Sequence, residues 1–162
     1  MAKSIVTGAA GFIGSHLVEA LLKQGEEVIA IDEFNDYYDP TIKRKNIAHL
    51  QNYPTFTLVE GNIQFLDWQT LLKNVDVIYH QAAQAGVRAS WGQGFRAYTE
   101  RNINSTQVLL EAAKDTPSLK RLVFASTSSV YGDAETLPTH EEICPKPVSP
   151  YGITKLAAER LC

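Results

Sequence analysis

A tyrosine and a lysine stand four residues apart near the end of the chain, after a run of side-chain hydroxyls at residues 126–129. Tyr151 and Lys155 share one face of a predicted helix, because residues four apart lie on the same side. A phenol is protonated at neutral pH, and a neighbouring ammonium group favours its ionised form by charge attraction. A hydroxyl such as that of Thr127 can then share the proton of a substrate oxygen. The pattern predicts proton transfer to or from a hydroxyl group.

A glycine-rich turn lies near the N-terminus, between a predicted strand and a predicted helix. Gly8, Gly11 and Gly14 form G-x-x-G-x-x-G, whose first gap is one residue longer than in the dinucleotide fingerprint. These glycines permit a tight turn, close approach of a pyrophosphate, and close packing of helix on sheet. Asp32 ends the second predicted strand, where an acid binds the ribose hydroxyls of NAD and repels the 2′-phosphate of NADP. The pattern predicts an NAD site at the start of the helix.

Each pattern also has an ordinary structural explanation. Turns use glycine and hydroxyl residues frequently, and a tyrosine and lysine four apart are common on an exposed helix face. Lys43, Arg44 and Lys45 follow Asp32 and would suit NADP, which we consider the less favoured cofactor. The functional interpretation is favoured because the motifs occur together and in the order that a dinucleotide-binding enzyme requires.

Short apolar segments alternate with helical patterns along the chain. Strands are predicted over residues 4–7, 27–31, 56–60, 75–80 and 120–126. Helices are predicted over residues 12–23, 66–73 and 96–114, after Pro40, and from Pro150 with Ser149 as N-cap. Continuously apolar strands predict a parallel sheet covered on both faces. We expect an α/β fold: a three-layer, Rossmann-type doubly wound parallel sheet with strand order 3-2-1-4-5.

The last predicted helix reaches Cys162 with no glycine cap and no strand after it. We interpret residues 1–162 as one NAD-binding Rossmann domain that ends before a sixth strand and a C-terminal substrate-binding domain. The chain would then be the N-terminal part of a longer protein or a naturally shortened copy.

The composition is that of a globular domain, with 44% hydrophobic residues and a net charge of −3. It predicts no nucleic-acid partner and no membrane partner, since basic residues are dispersed and no long apolar run occurs. Two cysteines, Cys144 and Cys162, are too few for a disulfide framework, and no metal site is expected. We expect a cytoplasmic location.

Together these motifs resemble the extended short-chain dehydrogenase/reductase family, and within it the NAD-dependent nucleotide-sugar epimerases and dehydratases. The resemblance also includes His80-Gln81-Ala82-Ala83 and covers essentially the whole chain. It implies that Tyr151 is the catalytic base, that Thr127 is its hydroxyl partner, and that Lys155 holds the nicotinamide ribose. It further implies that NAD is contacted by Gly8, Gly11, Phe12, Ile13, Gly14, Asp32, Asn62, Ile63, Ala82, Ala83, Asn102, Tyr151 and Lys155.

Two segments resemble those of UDP-glucuronate 4-epimerases: N-D-Y-Y-D-P at residues 35–40 and A-G-V-R at residues 85–88. Dehydratases of the family usually carry Asp-Glu after the catalytic threonine, where this chain has Ser128 and Ser129. The resemblance implies a 4-epimerase that oxidises the sugar C4 hydroxyl, rotates the ketone, and returns hydride to its other face. Ser128, Ser129 and Arg88 are expected to bind a C6 carboxylate.

Some positions depart from the family pattern, and some alternatives stay open. Asn62 stands where an Asp often holds the adenine amino group, and an amide oxygen can accept the same bond.

The family's dimer interface uses the predicted 96–114 helix and the Tyr151 helix, so a homodimer is expected. The chain alone is expected to bind NAD with little or no turnover. The alternatives are a non-catalytic NAD-binding paralogue or fragment, and a sugar-nucleotide dehydratase, decarboxylase or reductase on the same scaffold.

Overall fold

The computed structural model describes residues 1–134 and 136–162. Its sheet is parallel and five-stranded within these residues, with the order β3-β2-β1-β4-β5. The strands are β1 (Lys3–Thr7), β2 (Glu27–Asp32), β3 (Phe56–Glu60), β4 (Val77–His80) and β5 (Arg121–Phe124). The predicted Rossmann-like α/β fold and its strand order are therefore confirmed.

Helix α1 has the predicted bounds, and α2 and α6 begin at the predicted prolines, whereas the helices predicted over 66–73 and 96–114 differ from the prediction. They are α1 (Phe12–Lys23), α2 (Pro40–Ala48), α3 (Trp68–Leu71), α4 (Phe95–Tyr98), α5 (Ser105–Ala113) and α6 (Pro150–Leu161). The helix predicted over 96–114 is not one regular α-helix, because a π-helical segment, Thr99–Asn104, separates α4 from α5. The helix predicted over 66–73 is reduced to one turn, which begins where the Asp67 carboxylate accepts the Thr70 N–H at 3.2 Å.

Short 3₁₀ segments lie between these elements. They span His49–Asn52, Ile63–Phe65, Arg88–Ser90, Gly92–Gly94 and Ser128–Val130. The chain divides into two compact units. The sheet unit comprises Met1–Ala82 and Glu111–Ala125 and holds all five strands, whereas the helical unit comprises Ala83–Leu110 and Ser126–Cys162.

The core of the sheet unit lies around the two central strands β1 and β2. Val6, Val28 and Ala30 are fully buried and pack in one cluster with Leu21 and Leu22 of α1. The prediction of strands buried on both faces holds for β1 and β2 but is wrong for the two edge strands. Residues alternate between exposed and half-buried along β5, and Val123 is 37% exposed.

Candidate functional site

The glycine turn of the sheet unit follows β1 and leads into α1. Gly8 has a positive φ of 66°, and a Cβ added there would lie 2.8 Å from the Cα of Ala82. A Cβ added at Gly14 would collide with the Gly8 carbonyl oxygen. The Gly11 N–H donates to that same oxygen at 3.1 Å. Side chains are therefore excluded at Gly8 and Gly14, and the turn brings backbone against backbone.

Helix α1 begins directly after this turn and presents its first amide groups. Gly11 is the N-cap, and the first turn carries no acidic residue. The side chains of Phe12 and Ile13 are 78% and 66% exposed. The first N–H groups of a helix have no intrahelical acceptor, and the helix dipole adds a partial positive charge there. The arrangement fits a diphosphate.

Asp32, at the end of β2, is buried and holds the turn in place. Its carboxylate accepts the Ala10 N–H at 3.0 Å, the Phe34 N–H at 2.8 Å and the Lys43 ammonium at 3.0 Å. A carboxylate has about four acceptor positions, so these donors leave room for one hydroxyl among the residues that the structure describes. Asp32 therefore has a structural role, and its contact with a ribose hydroxyl stays a prediction.

Helix α2 supplies two side chains to this region: Lys43, which was considered only for NADP, and Asn46, which was not predicted. Lys43 is 7% exposed and pairs with Asp32, while Asn46 donates its Nδ2 to the Ala10 carbonyl at 3.0 Å. Arg44 pairs with both Glu60 carboxylate oxygens, at 2.6 and 2.7 Å. Two of the three cations considered for NADP are thus already paired with carboxylates.

Asn62 and Ile63 follow β3 at the same edge of the sheet. The Asn62 Oδ1 accepts the Gln64 N–H at 2.9 Å, and its Nδ2 donates to a Glu33 carboxylate oxygen at 2.8 Å. Ile63 is 7% exposed. Neither Glu33 nor its bond to Asn62 was predicted.

Ala82 follows β4 by two residues and belongs to the sheet unit. Its N–H donates to the Thr7 Oγ1 at 3.2 Å, and that hydroxyl lies 2.7 Å from the Nδ1 of buried His80. These contacts fix the backbone segment that a Cβ at Gly8 would strike.

The helical unit contains the predicted proton-transfer residues. Ser149 caps α6 by accepting the Gly152 N–H at 3.1 Å, as predicted. Tyr151 is half-buried in the first turn, and its N–H donates to the Ser90 Oγ at 3.1 Å. The Tyr98 ring contacts the Tyr151 ring edge-to-face at 6.2 Å between centroids. The backbone and the ring of Tyr151 are therefore both held by neighbours.

Lys155 lies one turn after Tyr151 on the same helix and is only 3% exposed. Burial lowers the pKa of the Lys155 ammonium to about 8, and the negative charges of Cys162 and Glu159 partly oppose that shift. A lysine with this pKa exchanges its proton close to neutral pH.

The hydroxyl segment, residues 126–129, packs against the start of α6. Thr127 caps the 3₁₀ segment by accepting the Ser129 N–H at 3.2 Å. A Cβ added at Gly152 would lie 2.6 Å from the Ser129 carbonyl oxygen, so only glycine permits this approach. The structure thereby brings Ser129 close to the helix turn that carries Tyr151, Thr127 bonds to the Ser129 N–H, and Ser128 is exposed.

Asn102, in the π-helical segment, is buried and fully bonded through its amide protons. Its Nδ2 donates to the Thr154 Oγ1 at 3.0 Å and to the Gln84 carbonyl at 3.2 Å. Its Oδ1 accepts the Gln84 N–H at 2.7 Å, and Thr154 in turn donates to the Tyr151 carbonyl. Asn102 thus joins the 83–88 loop to the α6 turn between Tyr151 and Lys155. Four contributing residues were not predicted, because none of them belongs to a recognisable motif: Gln84, Ser90, Tyr98 and Thr154.

Arg88 and Ala83 are exposed. Within residues 1–134 and 136–162, Arg88 makes no hydrogen bond or ion pair, and its contact with a C6 carboxylate together with Ser128 and Ser129 stays a prediction. Over the same residues, no three His, Cys, Asp or Glu side chains are grouped as metal ligands. None of the described helices is long and apolar enough to span a bilayer.

The chain matches one protein family and several named relatives. Residues 4–162 match the NAD dependent epimerase/dehydratase family. The chain is 48% identical over 161 residues to a Bacillus subtilis protein named "Uncharacterized UDP-glucose epimerase YtcB", covering 99% of this chain and 50% of that protein. It is 40% identical over 161 residues to the UDP-glucuronate 4-epimerase of Thermodesulfobacterium geofontis, covering 97% of this chain and 49% of that one.

A solved structure agrees with these relatives. It is the UDP-glucuronic acid 4-epimerase of Bacillus cereus in complex with UDP-glucuronic acid and NAD, with a TM-score of 0.95 and 46% identity. The match covers 99% of this chain and 51% of that one. The chain thus spans about half the length of the relatives it matches. From the match over residues 4–162, the chain belongs to the NAD-dependent epimerase/dehydratase family.

Proposed function

We propose that this chain is the NAD-binding part of a nucleotide-sugar 4-epimerase that acts on a UDP-uronate. The observation that carries the proposal is the first turn and a half of α6, where Tyr151 precedes the buried Lys155 by one turn and Gly152 packs against Ser129. The relatives named as UDP-glucuronate 4-epimerases support the choice of reaction.

The sheet unit fits the diphosphate and adenosine of NAD. The Phe12 and Ile13 amides offer free N–H groups at the start of α1, and Gly8, Gly11 and Gly14 leave the turn without side chains. Asp32 keeps one acceptor position for a ribose hydroxyl, and Asn62 and Ile63 would contact the adenine. When bound, NAD supplies the hydride acceptor and donor that oxidation and re-reduction at C4 require.

The helical unit supplies the proton chemistry. Tyr151, one helical turn before Lys155, acts as the base that takes the proton of the C4 hydroxyl as the C4 hydrogen leaves with its electron pair. Thr127 donates a hydrogen bond to the same sugar oxygen. Tyr151 returns the proton to that oxygen after the ketone has turned. Lys155 and the Ala82-Ala83 segment would contact the nicotinamide half of the cofactor, and Asn102 would act by positioning α6.

Ser128, Ser129 and Arg88 would distinguish a uronate from a neutral sugar. Hydroxyl and guanidinium donors suit a C6 carboxylate, and Ser128 and Arg88 are exposed. Replacing Ser128 by Ala should lower the preference for UDP-glucuronate over UDP-glucose about tenfold. An unchanged preference would contradict the assignment of Ser128.

The exposed apolar residues of α6 bear on the oligomeric state of the protein. We propose that the protein forms a homodimer, because Ile153 and Leu161 on α6 are about half exposed. Sedimentation equilibrium at micromolar concentration tests this, and a monomer would contradict it.

We also propose that the protein works in the cytoplasm, since Cys144 and Cys162 are free thiols. Fractionation of the source cells tests the location.

Calorimetric titration of the 162-residue chain with NAD is the first test, with saturable one-to-one binding expected. Turnover is then measured on residues 1–162 fused to the C-terminal half of the Bacillus cereus enzyme, with UDP-glucuronate as substrate. The Tyr151→Phe fusion should lose at least about 100-fold in kcat. The matched control Tyr37→Phe removes an exposed phenol and should keep full activity. NAD binding by a fusion that never turns over would favour the non-catalytic alternative.

A further inference from the structure

Glu33 holds the Asn62 side chain in one orientation at the carboxyl end of the sheet. The Asn62 Nδ2 donates to the Glu33 Oε1 at 2.8 Å, and the Asn62 Oδ1 accepts the Gln64 N–H at 2.9 Å. The other Glu33 oxygen accepts the Asn35 Nδ2 at 3.0 Å. If the Asn62 amide were flipped, its oxygen would face the Glu33 carboxylate and its NH₂ group would face the Gln64 N–H. The orientation is therefore determined by its partners.

The fixed amide leaves one hydrogen-bonding position for a ligand. An amide oxygen has two lone pairs, and the Gln64 N–H uses one of them. No residue in the described parts of the chain donates to the second lone pair of Asn62. The half-buried Asn62 side chain therefore offers an acceptor, and its donor group faces Glu33.

The strand order places this acceptor at the base end of a bound dinucleotide. The sheet runs β3-β2-β1, and the glycine turn follows β1, Asp32 ends β2 and Asn62 follows β3. Asp32 pairs in register with Glu60, so Glu33 and Asn62 lie just beyond neighbouring strand ends. Adjacent strands are about 4.8 Å apart. A nucleotide laid outward from the turn meets these ends in the order phosphate, ribose, base.

We propose that Glu33 is a positioning residue that fixes Asn62 as a hydrogen-bond acceptor and thereby selects a 6-amino purine over a 6-oxo purine. This inference rests on the proposed binding of NAD. The adenine 6-amino group donates to the Asn62 oxygen. The 6-oxo oxygen of hypoxanthine is itself an acceptor and would face the Asn62 oxygen without a hydrogen between them. An aspartate at position 62 would face the Glu33 carboxylate across the present 2.8 Å contact, so asparagine is the residue that suits Glu33.

The test compares NAD with nicotinamide hypoxanthine dinucleotide by calorimetry on the 162-residue chain. We expect the wild type to bind NAD about tenfold more tightly than the hypoxanthine analogue. Glu33→Gln removes the constraint, because its own amide can turn either way, and should reduce that ratio to within about threefold. Glu60→Gln is the matched control: it removes a carboxylate at the neighbouring strand end that pairs with Arg44, and should keep the tenfold ratio.

A swapped pair separates positioning from general stability. Asn62→Asp alone should weaken NAD binding about tenfold, and Asn62→Asp combined with Glu33→Gln should restore it, because amide and acid have exchanged places. This double variant also serves if Glu33→Gln alone does not fold. Equal affinity of the wild type for the two dinucleotides would overturn this inference while leaving the NAD proposal standing. Failure to bind either dinucleotide would overturn both.

Discussion

The Lys43 ammonium lies 3.0 Å from the Asp32 carboxylate, and both side chains are more than 90% buried. Two backbone N–H groups donate to the same carboxylate, from Ala10 in the glycine turn and from Phe34. Removing one partner of a buried charge pair is strongly destabilising, because the other charge is left away from water without its counter-charge. The helix that carries Lys43 is therefore coupled to the turn proposed to bind the diphosphate.

Lys43→Met should destabilise the fold by about 3 kcal/mol, because it leaves the Asp32 charge buried without its cation. The two N–H donors to Asp32 remain, so the loss lies at the lower end of what breaking a buried pair costs. Urea unfolding at pH 7 measures it. Lys45→Met, on the exposed side of the same helix, should change stability by less than about 0.5 kcal/mol. Equal behaviour of the two variants would contradict the structural role of the pair.

Gly14→Ala should destabilise the protein by about 2 kcal/mol, although alanine is the better helix former by about 1 kcal/mol. The added methyl group would strike the Gly8 carbonyl oxygen, which cannot move without opening the turn. NAD binding measured by calorimetry should fall with it. Ala20→Gly, at an exposed position of the same helix, reports propensity alone and should cost about 1 kcal/mol. A more stable Gly14→Ala variant would show that the helix does not approach the turn this closely.

The features that could be predicted from the sequence are those that neighbouring residues determine. The glycine turn, the strand order and the Ser149 cap each depend on residues adjacent in the chain or on a regular alternation of elements, and all could be read from one sequence. The Asp32–Lys43 pair and the Asn46 bond to Ala10 join residues 11 and 36 positions apart. They depend on how α2 packs, which no local pattern encodes. The π-helical segment was missed because no glycine or proline interrupts residues 96–114, so nothing in the sequence marks the change of backbone hydrogen bonding.

Asn102→Ala should cost about 3 kcal/mol, since it removes three hydrogen bonds and leaves buried backbone groups of Gln84 without partners. Thr154→Val keeps the shape of the side chain and removes the Thr154 end of this network, so it should cost about 1 kcal/mol. Thermal and urea unfolding of both variants measure the difference. Similar losses would mean that the bonds to Gln84 contribute little and that Asn102 serves mainly α6.

Lys155 should make the stability of the protein rise with pH above about 8. Burial lowers its pKa in the folded state from 10.5 to about 8. Between these values the unfolded chain binds more protons than the folded one, so the free energy of unfolding increases as pH rises. The expected gain is about 2 kcal/mol between pH 7.5 and pH 9.5. Because the Cys162 thiol also responds to pH, the quantity to measure is the difference between wild type and Lys155→Met in urea unfolding at each pH. In the variant this gain should be absent, whereas a constant difference across the range would mean that Lys155 keeps its proton in the folded protein and that burial does not lower its pKa.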